Sequence, residues 1–142
     1  MTQDSSARTQ KTILIVDDDP VITKTTSVKL KGHGYEVMVA RDASETLAAI
    51  RKSRPHLILL DLSFPPDVAH GGAVGWNGFQ IMTWLQRLEQ ARDIPIIIIS
   101  GSDPAKYKDR CLAAGATAYF HKPLPHEELL KTIDQILGQP TN

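Results

Sequence analysis

The chain has 142 residues, in which 16 Lys plus Arg balance 16 Asp plus Glu. That length suits one domain around a single buried core, and the charge balance excludes the global basic field that draws proteins to nucleic acid or anionic membranes. Cys111 is the only cysteine, so no internal disulfide can form, and with a polar start and no apolar run near the roughly 18 residues of a membrane span, a cytoplasmic location is expected.

Residues 1–10, MTQDSSARTQ, read as a polar tail. The stretch KTILIVDDDP then drives a strand-sized apolar run, Ile13 to Val16, straight into Asp17, Asp18 and Asp19. Asp19 suits a helix N-cap with Pro20 as the first helical residue, and that helix is expected to close at Gly32. Tyr35 to Val39, rich in β-branched and aromatic residues, predicts a second strand. Asp42 and Glu45 have the spacing of a capping box leading into Leu47 and Ile50. Leu57 to Leu60 forms the third run, and it ends in Asp61. A helix is expected over about residues 77–90, with Phe79, Met82, Leu85 and Leu88 at helical spacing.

The fourth run, Ile96 to Ile99, ends in Ser100, after which Asp103 and Pro104 repeat the capping arrangement. Cys111 falls inside the helix so opened, as a small buried apolar residue, and Gly115 suits its C-cap. A weaker fifth run, Ala116 to Phe120, is followed by Lys122 and Pro123. Pro125 opens the last helix, with Glu127 and Glu128 in its positively polarised first turn. Leu129, Leu130, Ile133, Ile136 and Leu137 supply an apolar stripe, and Gly138 ends it.

Runs of Val, Ile and Leu that do not alternate with polar residues imply strands covered on both faces, as in a parallel sheet layered by helices. A βα unit repeated five times with right-handed crossovers gives an α/β fold: a doubly wound, five-stranded parallel sheet of flavodoxin-like type, one domain over residues 11–138. Ligands of such sheets sit outside the carboxyl ends of the strands, near the point where strand order reverses. If the first, third, fourth and fifth strands are neighbours, Asp17, Asp18, Asp61, Ser100 and Lys122 meet on one rim. Crowded carboxylates there raise a pKa unless a cation neutralises them, and Mg²⁺ is a hard ion that takes oxygen ligands.

In their order along the chain, ILIVDDDP, LILLDLSFP, IIIISG and YFHKPL resemble the response-regulator receiver domain, the phosphoacceptor half of two-component signalling, over about residues 11–138. The resemblance implies that Asp61 accepts a phosphoryl group from a histidine kinase or phosphotransfer protein. Asp17, Asp18 and Asp61, with the backbone carbonyl of Ser63, would hold Mg²⁺. Ser100 would contact the phosphoryl group, Lys122 would pair with it, and Tyr119 would be the aromatic that changes rotamer. Ser63 and Ser102 fall where the family tunes the lifetime of the acyl phosphate, and Lys122-Pro123 falls where it commonly has a cis bond.

The sequence departs from the family pattern after Asp61, where DLSFPPDVAHGGAVGWNGFQ delays the expected glycine to Gly78. An inserted loop over residues 64–77 is therefore expected, as a flap over the site or a partner-contact surface. After the last helix only a short tail, residues 139–142, remains, so output is expected through another protein, without direct contact to nucleic acid or insertion into a membrane.

Other functions fit less well. Three aspartates would repel the phosphate that flavodoxin-like cofactor binders hold after the first strand, and Ser63 stands where aspartyl-phosphate phosphatases need a second acid. The chain thus reads as a phosphoacceptor and not as an enzyme. The alternative is a phosphorylation-independent interaction module on the same fold, a class that commonly lacks one or more of Asp17, Asp18, Asp61, Ser100 and Lys122. The five histidines lack metal-ligand spacing, and solvated roles are expected for them.

Overall fold

A computed structural model describes residues 10–62, 78–101 and 104–138. The tails, the expected insertion at 64–77 and the expected cap Asp103 lie outside the described residues. The elements run β1 (Thr12–Val16), α1 (Pro20–Gly32), β2 (Glu36–Ala40), α2 (Ala43–Lys52), β3 (Leu57–Asp61), α3 (Gly78–Arg87), β4 (Ile96–Ser100), α4 (Pro104–Ala113), β5 (Ala118–His121) and α5 (His126–Leu137). All strand pairs are parallel, in the order β2-β1-β3-β4-β5. Order reverses between β1 and β3, and β1, β3, β4 and β5 stand side by side as the polar strand ends require.

Burial explains why the runs do not alternate. Ile13, Ile15, Leu57, Leu59, Ile97 and Ile99 pack with Leu30 of α1 and with Leu129 and Ile133 of α5. Their even-numbered neighbours Leu14, Val16, Ile58, Leu60, Ile96 and Ile98 pack on the opposite layer with Ile50 of α2, Ile81, Met82 and Leu85 of α3, and Cys111 of α4. Every residue of β1, β3 and β4 is buried. Each such Leu or Ile contributes about 1.5–3 kcal/mol of burial free energy, so these three short strands carry much of the fold's stability.

Helix starts follow the caps. Asp19 sits in extended conformation and accepts from the Val21 and Ile22 N–H groups at 2.9 and 3.3 Å, with Pro20 at the first helical position. Asp42 accepts from Glu45 N at 2.8 Å. The return bond of the capping box is displaced by one residue: Glu45 Oε1 accepts from the N–H of Arg41 at 2.8 Å, where the Arg41 guanidinium also reaches it. Pro125 is itself the N-cap of α5, which begins one residue later than expected.

Two strands and one turn differ from expectation because backbone donors are spent elsewhere. The Tyr35 N–H closes the end of α1 on Leu30 O at 3.1 Å, so β2 starts at Glu36. The Ala116 N–H is likewise taken by Cys111 O at 3.0 Å, which delays β5 to Ala118. Gly32 remains helical, and the left-handed residue after α1 is Gly34, with φ 102°.

Candidate acidic phosphoacceptor site

The rim is assembled by the sheet's own hydrogen bonding, continued one residue past the strands. Asp17 N donates to Ala40 O at 3.0 Å, Leu62 N to Ile99 O at 2.8 Å, and Lys122 N to Ser100 O at 2.8 Å. Asp17, Asp61, Ser100 and Lys122 are thus fixed where the apolar rows run out, and Lys122-Pro123 is a cis bond.

Asp17 and Asp61 are 3% and 5% exposed, whereas Asp18 opens to solvent. One carboxylate oxygen from each of Asp17, Asp18 and Asp61 lies within 4.8 Å of the others. The Lys122 ammonium stands 3.3 Å from Asp61 Oδ1 and 3.7 Å from Asp17 Oδ2. Three carboxylates therefore face one cationic side chain among the described residues of this cluster. Burial pushes the Asp17 carboxyl up from 3.8 to about 6, the Asp19 N–H and Lys122 pull it down, and Asp61 raises it further. The expected effect of crowded acids is present, but removal from water is its leading cause.

Ser100 is fully buried at the end of β4. Tyr119 lies opposite Ile98 in the adjacent strand and packs, partly buried, against the α2–α4 layer. Its hydroxyl is buried without a hydrogen-bond partner among the described residues, a condition that disfavours this rotamer. Ser63 and Ser102 lie outside the described residues. Beside Lys122 an apolar cleft of about 240 Å³ opens between Val21 and Ile22 of α1 and Leu124 before α5.

All-oxygen, hard donors with excess negative charge fit a Mg²⁺ ion and not a soft metal. The histidines have other employments. His56 Nδ1 accepts from Thr12 N at 3.0 Å, and His33 Nε2 lies 2.9 Å from Asp134 Oδ2 while its ring stays partly exposed, so two of the five are structural partners. What the sequence did not disclose at the rim is the bond from Asp19 N to Asp17 Oδ1, 2.9 Å. The cap was legible from Asp19-Pro20, but its tie to the neighbouring acid depends on a backbone N–H and leaves no residue-type signal.

The pattern of the response regulator receiver domain matches residues 13–134, which take in all of the sheet but Thr12 and all of this rim. The chain belongs to that family. It is 34% identical to protein PilH of Pseudomonas aeruginosa over 126 residues, 89% of this chain and 97% of PilH. It is 28% identical to the polar-differentiation response regulator DivK of Brucella anthropi, covering 90% of this chain and 97% of DivK. Against several curated transcriptional regulators it spans about half of their length. Among solved structures, the chemotaxis response regulator CheY4 of Vibrio cholerae superposes with a TM-score of 0.75 at 32% identity, over 91% of this chain and all of that one. Receiver domains are the phosphoacceptors of two-component systems, and they interact with histidine kinases or phosphotransfer proteins and with downstream targets. Among the described residues no helix is long and apolar enough to cross a membrane.

Proposed function

We propose that this chain is a stand-alone response regulator that takes a phosphoryl group from a histidine kinase, or a phosphotransfer protein, onto Asp61. The observation that carries this reading is the pairing of Asp61, almost wholly buried, with Lys122 at 3.3 Å inside a three-carboxylate cluster. A lone buried acid would be costly. Here the excess negative charge suits a cation, and the positive charge of that cation together with Lys122 would in turn offset an incoming phosphoryl group.

In this mechanism Asp61 attacks phosphorus in line, the P–N bond to the donor imidazole breaks, and its electron pair stays on the ring nitrogen. Lys122 meets the phosphoryl oxygens, and the buried Ser100 hydroxyl donates to one of them. Asp17, Asp18 and Asp61, with the Ser63 carbonyl, would hold Mg²⁺. When bound, that ion neutralises charge on the oxygens in transfer. Water later cleaves the acyl phosphate and restores the carboxylate.

The phosphoryl group adds about 1.5–2 negative charges. Ser100 moves toward it, and Tyr119, whose buried hydroxyl lacks a partner among the described residues, rotates with it, remodelling the face of α4, β5 and α5 for a downstream protein. The near-complete coverage of PilH and DivK supports the stand-alone reading.

The test is to add Mg²⁺ and a small phosphodonor and weigh the intact protein. The wild type is expected to gain one phosphoryl group and Asp61→Ala none. An equal gain in both, or none in either, would sink the reading and leave a phosphorylation-independent interaction module.

A further inference from the structure

The two oxygens of Asp17 are used differently. Oδ1 accepts the Asp19 N–H at 2.9 Å, while Oδ2 faces Lys122 at 3.7 Å. A carboxylate with one oxygen tethered to backbone cannot rotate freely, so the direction of Oδ2 is set by where the Asp19 peptide sits. That peptide is in turn clamped by its own side chain. Asp19 Oδ1 accepts from Val21 N and Ile22 N, and Asp19 O accepts from Thr23 N at 3.0 Å. The first turn of α1 therefore holds Asp19, and Asp19 holds Asp17.

From this chain of bonds we infer that Asp19 is a positioning residue for cation binding at the rim, acting through Asp17 without touching the ion. The inference rests on the phosphoacceptor reading above. Groups that orient a metal ligand from behind change affinity by about 10–100-fold when removed, and the Asp19 side chain is one bond further back, which places its effect at the lower end. The α2 cap supplies an internal control. Asp42 caps its helix by the same kind of bond, to Glu45 N at 2.8 Å, but the residue before it is Arg41 and no rim acid depends on it.

The experiment measures the rate of phosphoryl gain from a small phosphodonor as a function of Mg²⁺ concentration, alongside thermal unfolding, for the wild type, Asp19→Ala, Asp19→Gly, Asp19→Ser, Asp19→Asn and Asp42→Ala. For Asp19→Ala the half-saturating Mg²⁺ concentration is expected to rise by about 10-fold, while the rate at saturating Mg²⁺ returns to the wild-type value. A loss of folded protein alone would instead lower the saturating rate. Asp19→Gly, which keeps the cap conformation at little cost to stability, guards against failure to fold and is expected to show the same rise. Asp19→Ser and Asp19→Asn, which can still cap, are expected to restore wild-type saturation. Asp42→Ala is expected to lower the melting temperature as much as Asp19→Ala and leave the Mg²⁺ dependence unchanged. Wild-type saturation in Asp19→Ala and Asp19→Gly, or an equal shift in Asp42→Ala, overturns the inference alone. A wild type that gains no phosphoryl group overturns the phosphoacceptor reading, and this one with it.

Discussion

Two acids drawn away from water, Asp134 half-buried and Asp17 buried, receive opposite treatment in this molecule. Asp134 on α5 has both oxygens engaged: the Tyr35 hydroxyl donates to Oδ1 at 2.5 Å, and His33 Nε2 lies 2.9 Å from Oδ2. Asp17 on the rim has one backbone N–H, shares its space with Asp61 and Asp18, and has part of one ammonium. The first cluster is complete, and it ties the α1–β2 turn to α5. The second is short of positive charge, and that deficit is what a dication can relieve. Even the direction of titration reflects this: burial, with Asp134 adding to it, pushes the Tyr35 phenol well above its ordinary value, keeping it a donor. Burial leaves Asp17 at about 6, close to the range in which it changes charge. A saturated network holds structure, whereas an under-neutralised one binds.

The contrast can be broken most directly by Asp61→Ala, expected to abolish phosphoryl gain, against Asp134→Asn, expected to keep the rate within about twofold because distant sites act independently; intact-protein mass measured over time decides it. Next in size is Asp17→Asn. If the rim is strained by charge, this substitution raises the stability of the metal-free protein by about 1–3 kcal/mol in chemical denaturation, while abolishing the added stability that Mg²⁺ gives the wild type.

The pH dependence sharpens the same point. The folded Asp17 carboxyl, at about 6, lies above its unfolded value of 3.8, so between the two the native state binds more protons than the unfolded one. This group's contribution to metal-free stability is therefore fully present below 3.8 and is lost as pH rises through about 6. The stabilisation by Mg²⁺ should run the other way, growing as the carboxylate ionises. Melting curves in chelator and in Mg²⁺ on either side of that value, compared with Asp17→Asn, measure both slopes, and parallel slopes would count against the comparison. The smallest effect is expected for Tyr35→Phe, which removes one donor while Asp134 keeps His33, and should cost about 0.5–1.5 kcal/mol of stability with no change in Mg²⁺ saturation.

Much of the fold was readable because burial on both sheet faces leaves a direct mark, an uninterrupted apolar run, and because Asp-Pro pairs announce helix starts. The rim was readable for a related reason: Asp61, Ser100 and Asp17 follow those runs directly, so placing the strands places the acids. Strand limits at Tyr35 and Ala116 were not readable, since both were decided by which carbonyl took a single N–H. The Asp134 cluster was hidden for a different reason. His33 and Asp134 are 101 positions apart, and each taken alone looks like an ordinary surface polar residue. The leading role of burial in raising Asp17 also needs a three-dimensional environment that no motif encodes.

Asp61 occupies the same pleat row as Leu57 and Leu59, one step beyond the row's last apolar member. Adding or deleting a single residue within β3 would invert that row and carry the carboxylate toward the other helical layer, with the composition of the chain almost untouched. Insertions in a loop pose no such danger. The chemistry of this protein is therefore written in odd and even numbers, and its tolerance of length change should drop sharply at each strand.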